Sequence, residues 1–252
     1  MSSSQPHLER SNTLFTSHRN SKYRSFLFIQ LITFLFASAL TTSAQTRTPS
    51  TRAVVVDERL SALRSAPGFD APFLRRLGRG RRVTIVGAGS RQGFHFYRVA
   101  VTRRTRGWIQ REALILPSRR GDDERLLNLI RSSTEFDRIA RSRVFLETFP
   151  RSVLRPAVLL LLGDEASKVA LKLSRDADRR LDSTEMKATG APISSYFLNY
   201  NGLDRYRKLG LVFRFDPATK RYQYDGASFL ELIHRYPSSA EAREANLRLT
   251  GQ

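Results

Sequence analysis

The chain has 252 residues, carries a formal net charge of +20 and is 40% hydrophobic, which gives one or two domains with a real core and excludes a wholly disordered protein. It has no cysteine, which excludes a disulfide framework, a thiolate metal site, a cysteine nucleophile and a lipidated cysteine. The excess of basic over acidic residues, 43 against 23, is almost all Arg and predicts attraction to polyanions: nucleic acid, anionic lipid headgroups or phosphate-bearing envelope polymers.

The N-terminal 44 residues read as an export signal. Arg19, Lys22 and Arg24 form a positive region, and Phe26–Phe36 is an apolar run broken only by Gln30 and Thr33. Two small-residue cleavage patterns follow, Ala37-Ser38-Ala39 and Thr42-Ser43-Ala44. Positive, then apolar, then small is the signal-peptide order. The run is shorter than the about 20 residues a membrane span needs, although an uncleaved anchor extended to Leu40 stays open. The expectation is a periplasmic or secreted protein that meets the membrane only through this segment. Residues 45–50 are a polar linker.

Residues 51–118 change pattern. Short β-branched and aromatic runs, with Val54–Val56, Val83, Ile85, Phe96, Tyr97 and Val99, alternate with breaks rich in Gly, Pro and Arg. Short strands at this spacing predict a small barrel. Gly80, Gly107, Gly87 and Gly89 are placed in its turns, and residues 87–93 in a long loop.

This stretch resembles the bacterial SH3-like (SH3b) domain. The matching residues are Leu63-Arg64-Ser65-Ala66-Pro67, Phe73-Leu74, Leu77, Gly80, Val83, Ile85, Phe96-Tyr97-Arg98-Val99, Gly107-Trp108-Ile109 and Leu114. Phe96 stands where the family usually has Trp, and Arg103, Arg104 and Arg106 occupy a turn that is often neutral or acidic. The resemblance implies a small SH3-like β-barrel acting as a non-catalytic binding module, with peptidoglycan peptides among the ligands of some members. An aromatic surface ringed by Arg suits an anionic or carboxylate-bearing polymer. The expected ligand-binding residues are Phe94, Tyr97, Arg98, Arg104, Arg106 and Trp108. Phe94 and Tyr97 are taken as exposed, out of phase with Phe96. Trp108, the single Trp, is either a platform or part of the core, and the arginines are either a binding or a merely solvated face.

Residues 119–252 read as an all-α helical-hairpin module carrying one β-hairpin near 211–224. Asp122, Asp123 and Glu124 precede an apolar stripe, as suits a helix N-terminus. Helical spacing continues from Phe136 to Phe149, and Pro150 ends that helix. Ser152 is the expected N-cap of the next helix, with Pro156 in its first turn and Leu159–Leu162 at the buried centre. Phe149-Pro150-Arg151-Ser152 echoes Tyr236-Pro237-Ser238-Ser239, and such turns between helices weakly resemble tetratricopeptide repeats. Val212–Phe215 and Arg221–Tyr224 flank a turn at 216–220. Their aromatics either close the bundle or, with Arg205, Arg207, Arg214 and Arg221, form a surface for sugars or bases.

Motifs for metal, phosphate-loop, serine-hydrolase or dinucleotide chemistry do not occur. Asp176, Asp178 and Asp182 offer paired carboxylates, but in an Arg-rich helix salt bridging is the default. No catalytic residue, cofactor or metal is expected. The function expected is an exported cell-envelope protein, its first module on a cell-wall or anionic envelope polymer and its helical module on a protein partner. A nucleic-acid-binding protein, which export disfavours, and a regulator of a cell-wall hydrolase are the alternatives.

Overall fold

Alternating burial makes strands of the first third of the described chain. The computed structural model describes residues 51–251, and the signal and linker segments lie outside them. The strands are β1 (Thr51–Val55), β2 (Ala62–Arg64), β3 (Phe73–Arg76), β4 (Arg82–Arg91), β5 (Phe94–Ala100), β6 (Arg106–Gln110) and β7 (Leu114–Ile115). They form one antiparallel sheet in the order β3-β2-β6-β5-β4-β1-β7.

This corrects the expected small SH3-like β-barrel. The terminal strands β3 and β7 do not pair with each other, so the sheet is open, and with the helices that follow the chain is mixed α/β. The reason lies at β7, which is two residues long and is followed by a helix rather than a further strand. Val54 and Ile115, paired across β1 and β7, are covered by Leu126, Leu127, Ile130, Val144, Phe145 and Val158 from the helices. Helical side chains thus finish the end of the sheet that a closed barrel would finish with a strand.

The other sheet face is lined by Ala53, Val55, Leu63, Val83, Val99 and Ile109, with Leu77, Ala113 and Leu114 completing the cluster. Gly107 does not lie in a turn: it is inside β6, where a Cβ would fall 2.7 Å from Leu63 Cγ and 2.8 Å from the Arg64 carbonyl oxygen. Gly87 and Gly89 likewise lie within β4, so the long loop expected at 87–93 is mostly strand. A two-residue turn, Gln92-Gly93, closes β4 onto β5 with φ of 53° and 78°, both in the left-handed region that such hairpins require.

The helices are α1 (Asp122–Arg131), α2 (Glu135–Thr148), α3 (Arg155–Arg180), α4 (Ser183–Thr189), α5 (Ile193–Leu198), α6 (Asp204–Arg207), α7 (Ala227–Arg235) and α8 (Ala240–Thr250). Strands β8 (Phe213–Asp216) and β9 (Arg221–Tyr224) form a hairpin between α6 and α7. Leu154, not Ser152, occupies the N-cap of α3; the Ser152 hydroxyl donates to Asp123 instead, at 2.7 Å. Helix α3 is the spine of this region. Its Leu159, Leu162, Ala166, Val169, Ala170 and Leu173 pack with Phe197, Tyr206, Tyr222 and Phe229 in one cluster. Each fully buried side chain of that size contributes roughly 1.5–3 kcal/mol. Gly163 lets α3 and α7 meet, because a Cβ there would collide with the Phe229 ring. Ser174 joins α3 to the hairpin by accepting the Tyr222 N–H at 2.8 Å.

Polar latches tie sheet to helices. Buried Arg141 of α2 donates to the Val56 carbonyl at 3.3 Å and lies 3.8 Å from Asp57. Asp122 accepts the Leu116 N–H at 2.6 Å and pairs with Arg119 at 2.7 Å. Among the described residues no helix is long and apolar enough to cross a membrane.

Candidate functional site

Cross-strand pairing sorts the six expected ligand residues onto two faces. Directly opposed residues share a face. Arg98 opposes Trp108, and Ala100 opposes Arg106, so Arg98, Arg106 and Trp108 lie on one face. Phe94 joins them, because 94, 96 and 98 alternate onto the same side of β5. This corrects its expected phase: Phe94 and Phe96 point the same way. Phe96 is buried while Phe94 is 46% exposed, and Phe69 covers both, with ring centroids 5.5 and 4.8 Å away.

Tyr97 lies on the opposite face. It is half-buried against the Leu63–Val99–Ile109 cluster and interacts with Arg119. Burial lowers the Arg119 pKa, but the Asp122 hydrogen bond and charge outweigh it and hold the guanidinium above its usual value. Arg104 sits in the turn between β5 and β6, exposed, with its N–H bonded to Thr102 Oγ1 at 3.3 Å.

The face that carries four of the six also gathers residues that sequence reasoning missed. One row across it runs Phe73–Arg64–Trp108–Arg98–Gly87. The next runs Arg106–Ala100–Thr84–Arg52. Small residues at Gly87, Ala100 and Thr84 therefore floor a trough whose exposed rim is Arg52, Arg98 and Arg106. No carboxylate pairs with any of these three among the described residues. The nearby acid, Asp70, is occupied by Arg91 at 2.7 Å. From 51 to 118 there are fourteen arginines and four carboxylates.

Beside the trough, Trp108 packs over Gly89, where a Cβ would sit 3.0 Å from the indole. The indole is half-buried, so it is neither a closed core residue nor a free platform. Phe69 and Phe73, 45% and 56% exposed, extend the aromatic margin. A Gly two residues from another Gly inside a strand was the available signal for this close approach. Nothing local marks Arg52, which reaches the trough only through the pairing of β1 with β4.

Chemically, this surface presents hydrogen-bond donors with fixed positive charge and aromatic faces. It suits an anionic partner with planar or apolar groups. The paired carboxylates read from the sequence are engaged otherwise: Asp176 pairs with Arg179, and Asp182 accepts the Thr184 N–H at 2.7 Å. That backbone bond holds the Asp182 carboxyl below its usual pKa. Among the described residues no group of three or more His, Asp or Glu is placed to hold a metal. The hairpin aromatics Phe213, Tyr222 and Tyr224 are buried in the helical core, and burial raises the Tyr222 phenol well above its usual pKa.

Comparison with known protein families, with characterised proteins and with solved structures gives no match to this chain.

Proposed function

We propose that this chain is a non-catalytic, exported cell-envelope protein that binds an anionic polymer on the open face of its sheet. The observation that carries the reading is the rim of Arg52, Arg98 and Arg106, exposed and free of facing carboxylates, around a floor of small residues. Guanidinium groups bind carboxylate and phosphate oxygens in a bidentate manner, and Trp108 and Phe94 add apolar contact to a polymer's non-charged parts. Export rests on the signal-peptide pattern of the first 44 residues.

The test uses the single Trp as a reporter. Trp108 fluorescence is followed while the chain is titrated with soluble peptidoglycan fragments, polyphosphate or single-stranded DNA. The expected result is saturable binding of an envelope polymer, weakened by salt, and lost in the Arg52/Arg98/Arg106→Ala triple variant. Undiminished binding by the triple variant overturns the assignment to this face. Tightest binding to DNA moves the reading to nucleic acid.

A further inference from the structure

The sheet is covered at one end only. Helical side chains pack over β7, whereas β3 ends the strand order with β2 as its single neighbour. All four residues of β3 are exposed, Phe73 at 56% and Leu74 at 49%. Among the described residues, nothing but β2 bonds to the β3 backbone.

The outer edge of β3 therefore carries unpaired main-chain groups. Leu77, just past the strand, donates its N–H to the Ser61 carbonyl at 3.2 Å, so the N–H and C=O of Arg76 turn away from β2. Leu74 is the extra residue of a bulge. Arg75 pairs with Leu63 and Phe73 with Arg64, which leaves Leu74 without a partner strand residue.

The charge at this edge selects what can pair with it. Arg75 has no carboxylate partner among the described residues, and Arg76 donates to the Glu58 and Arg59 carbonyls at 2.5 and 2.8 Å. The acids of the sheet region are engaged elsewhere: Asp57 by Arg59, Asp70 by Arg91, Glu112 by Arg111 and Glu58 by the Arg79 N–H. A second copy is a poor occupant, because either strand orientation brings four guanidinium groups together. The first fifty residues carry five basic side chains and one acid and are no better matched. A strand that bears carboxylates meets both arginines, and its apolar side chains cover Phe73 and Leu74.

We propose that β3 takes up an extended segment of a partner protein, acidic and apolar in composition, as an eighth strand of the sheet. Main-chain bonds to the open edge supply affinity, and the arginines supply the choice of partner. This edge is distinct from the Arg52, Arg98 and Arg106 rim, and the proposal does not rest on the polymer reading.

The experiment is fluorescence anisotropy of labelled, end-capped peptides about six residues long, the usual strand length, titrated with the full chain. The probes are a peptide of alternating Glu and Val, one of alternating Lys and Val, and the Glu–Val peptide N-methylated at every amide. The expected result is saturable binding of the unmodified Glu–Val peptide alone, because N-methylation keeps the charge and removes the ladder donors. Arg75→Glu, at an exposed position, should leave the melting temperature unchanged and weaken Glu–Val binding roughly tenfold or more. Absence of Glu–Val binding overturns the proposal. So does equal binding of the N-methylated peptide, which is charge attraction, or undiminished binding by Arg75→Glu. The Arg52/Arg98/Arg106→Ala variant should bind the Glu–Val peptide at full strength; loss there places the peptide on the sheet face and overturns the edge assignment.

Discussion

The two regions of this chain use the same residue types in opposite ways. In the helical region three arginines are structural residues. Arg138, Arg141 and Arg155 are mostly buried, and each faces a carboxylate: Glu165 at 2.7 Å, Asp57 at 3.8 Å and Glu231 at 3.2 Å. Aromatic rings there are core, as with Tyr206, Tyr222 and Phe229. In the sheet region Arg52, Arg98 and Arg106 have no such partners among the described residues, and Phe69, Phe73 and Phe94 stand half-exposed on the same side. Charge composition agrees, with twenty-four basic residues against eighteen acidic ones in 119–252 and fourteen against four in 51–118. The difference teaches that an Arg- and aromatic-rich sequence announces neither a core nor a binding surface. The deciding fact is which acid, if any, the fold brings opposite each guanidinium.

The contrast breaks or sharpens under substitution, and the largest effect belongs to Arg141. Arg141→Ala leaves the Val56 carbonyl and the Ser133 hydroxyl without their buried donor and removes a buried charge 3.8 Å from Asp57. It should cost about 3 kcal/mol in urea denaturation, the scale for breaking a buried charged pair. A change near zero would make the buried arginines no more structural than the exposed ones.

Gly163→Ala comes next. In a helix this change ordinarily stabilises by about 1 kcal/mol. Here the added methyl meets the Phe229 ring, and the expected sign reverses to a loss of about 1–3 kcal/mol. Stabilisation would show that α3 and α7 do not pack this closely in solution.

Asp57 gives a pH-dependent test. The Arg59 hydrogen bond holds its carboxyl below the usual value of 3.8. A depressed folded-state pKa contributes stability that is fully present above the unfolded value and is lost as pH falls through the folded one. Asp57→Asn should therefore lower stability at neutral pH, and its deficit should shrink steadily below about pH 4. A deficit constant across that range would assign it to the lost second acceptor oxygen, which takes the Arg59 Nη2 donor at 2.6 Å, rather than to charge.

Smallest in stability is Arg98→Ala, which should change unfolding free energy by no more than about 0.5 kcal/mol, as for an exposed position without partners. Its effect belongs to polymer binding, where the Trp108 signal should report weaker association. A large stability loss with unchanged binding would erase the distinction between the regions.

Much of the local structure was legible. The acids of Asp122–Glu124 do open α1, and Pro156 lies in the first turn of α3. The hairpin strands lie within one residue of their expected positions. The candidate site was half legible: Phe94, Arg98, Arg106 and Trp108 share a face, while Tyr97 points to the other and Arg104 sits in a turn. Arg52, Phe69 and Phe73 came only with the strand order. The turn glycines misled because glycine serves close approach as readily as positive φ, and Gly87, Gly89 and Gly107 lie inside strands.

By itself, then, the sequence determined where the hairpin, the longer helices and the apolar centres of the strands run, because burial period and turn chemistry act over a few residues. Tertiary structure alone decided that the sheet stays open, that helices rather than a closing strand cover Val54 and Ile115, and that Arg52, Arg98 and Arg106 meet around a common floor. Those outcomes depend on pairings between residues tens of positions apart, and no local pattern encodes which partner a side chain will find. The basic charge noted at the outset has the same division: its amount is compositional, and the meeting of Arg52, Arg98 and Arg106 on one sheet face is a property of the fold.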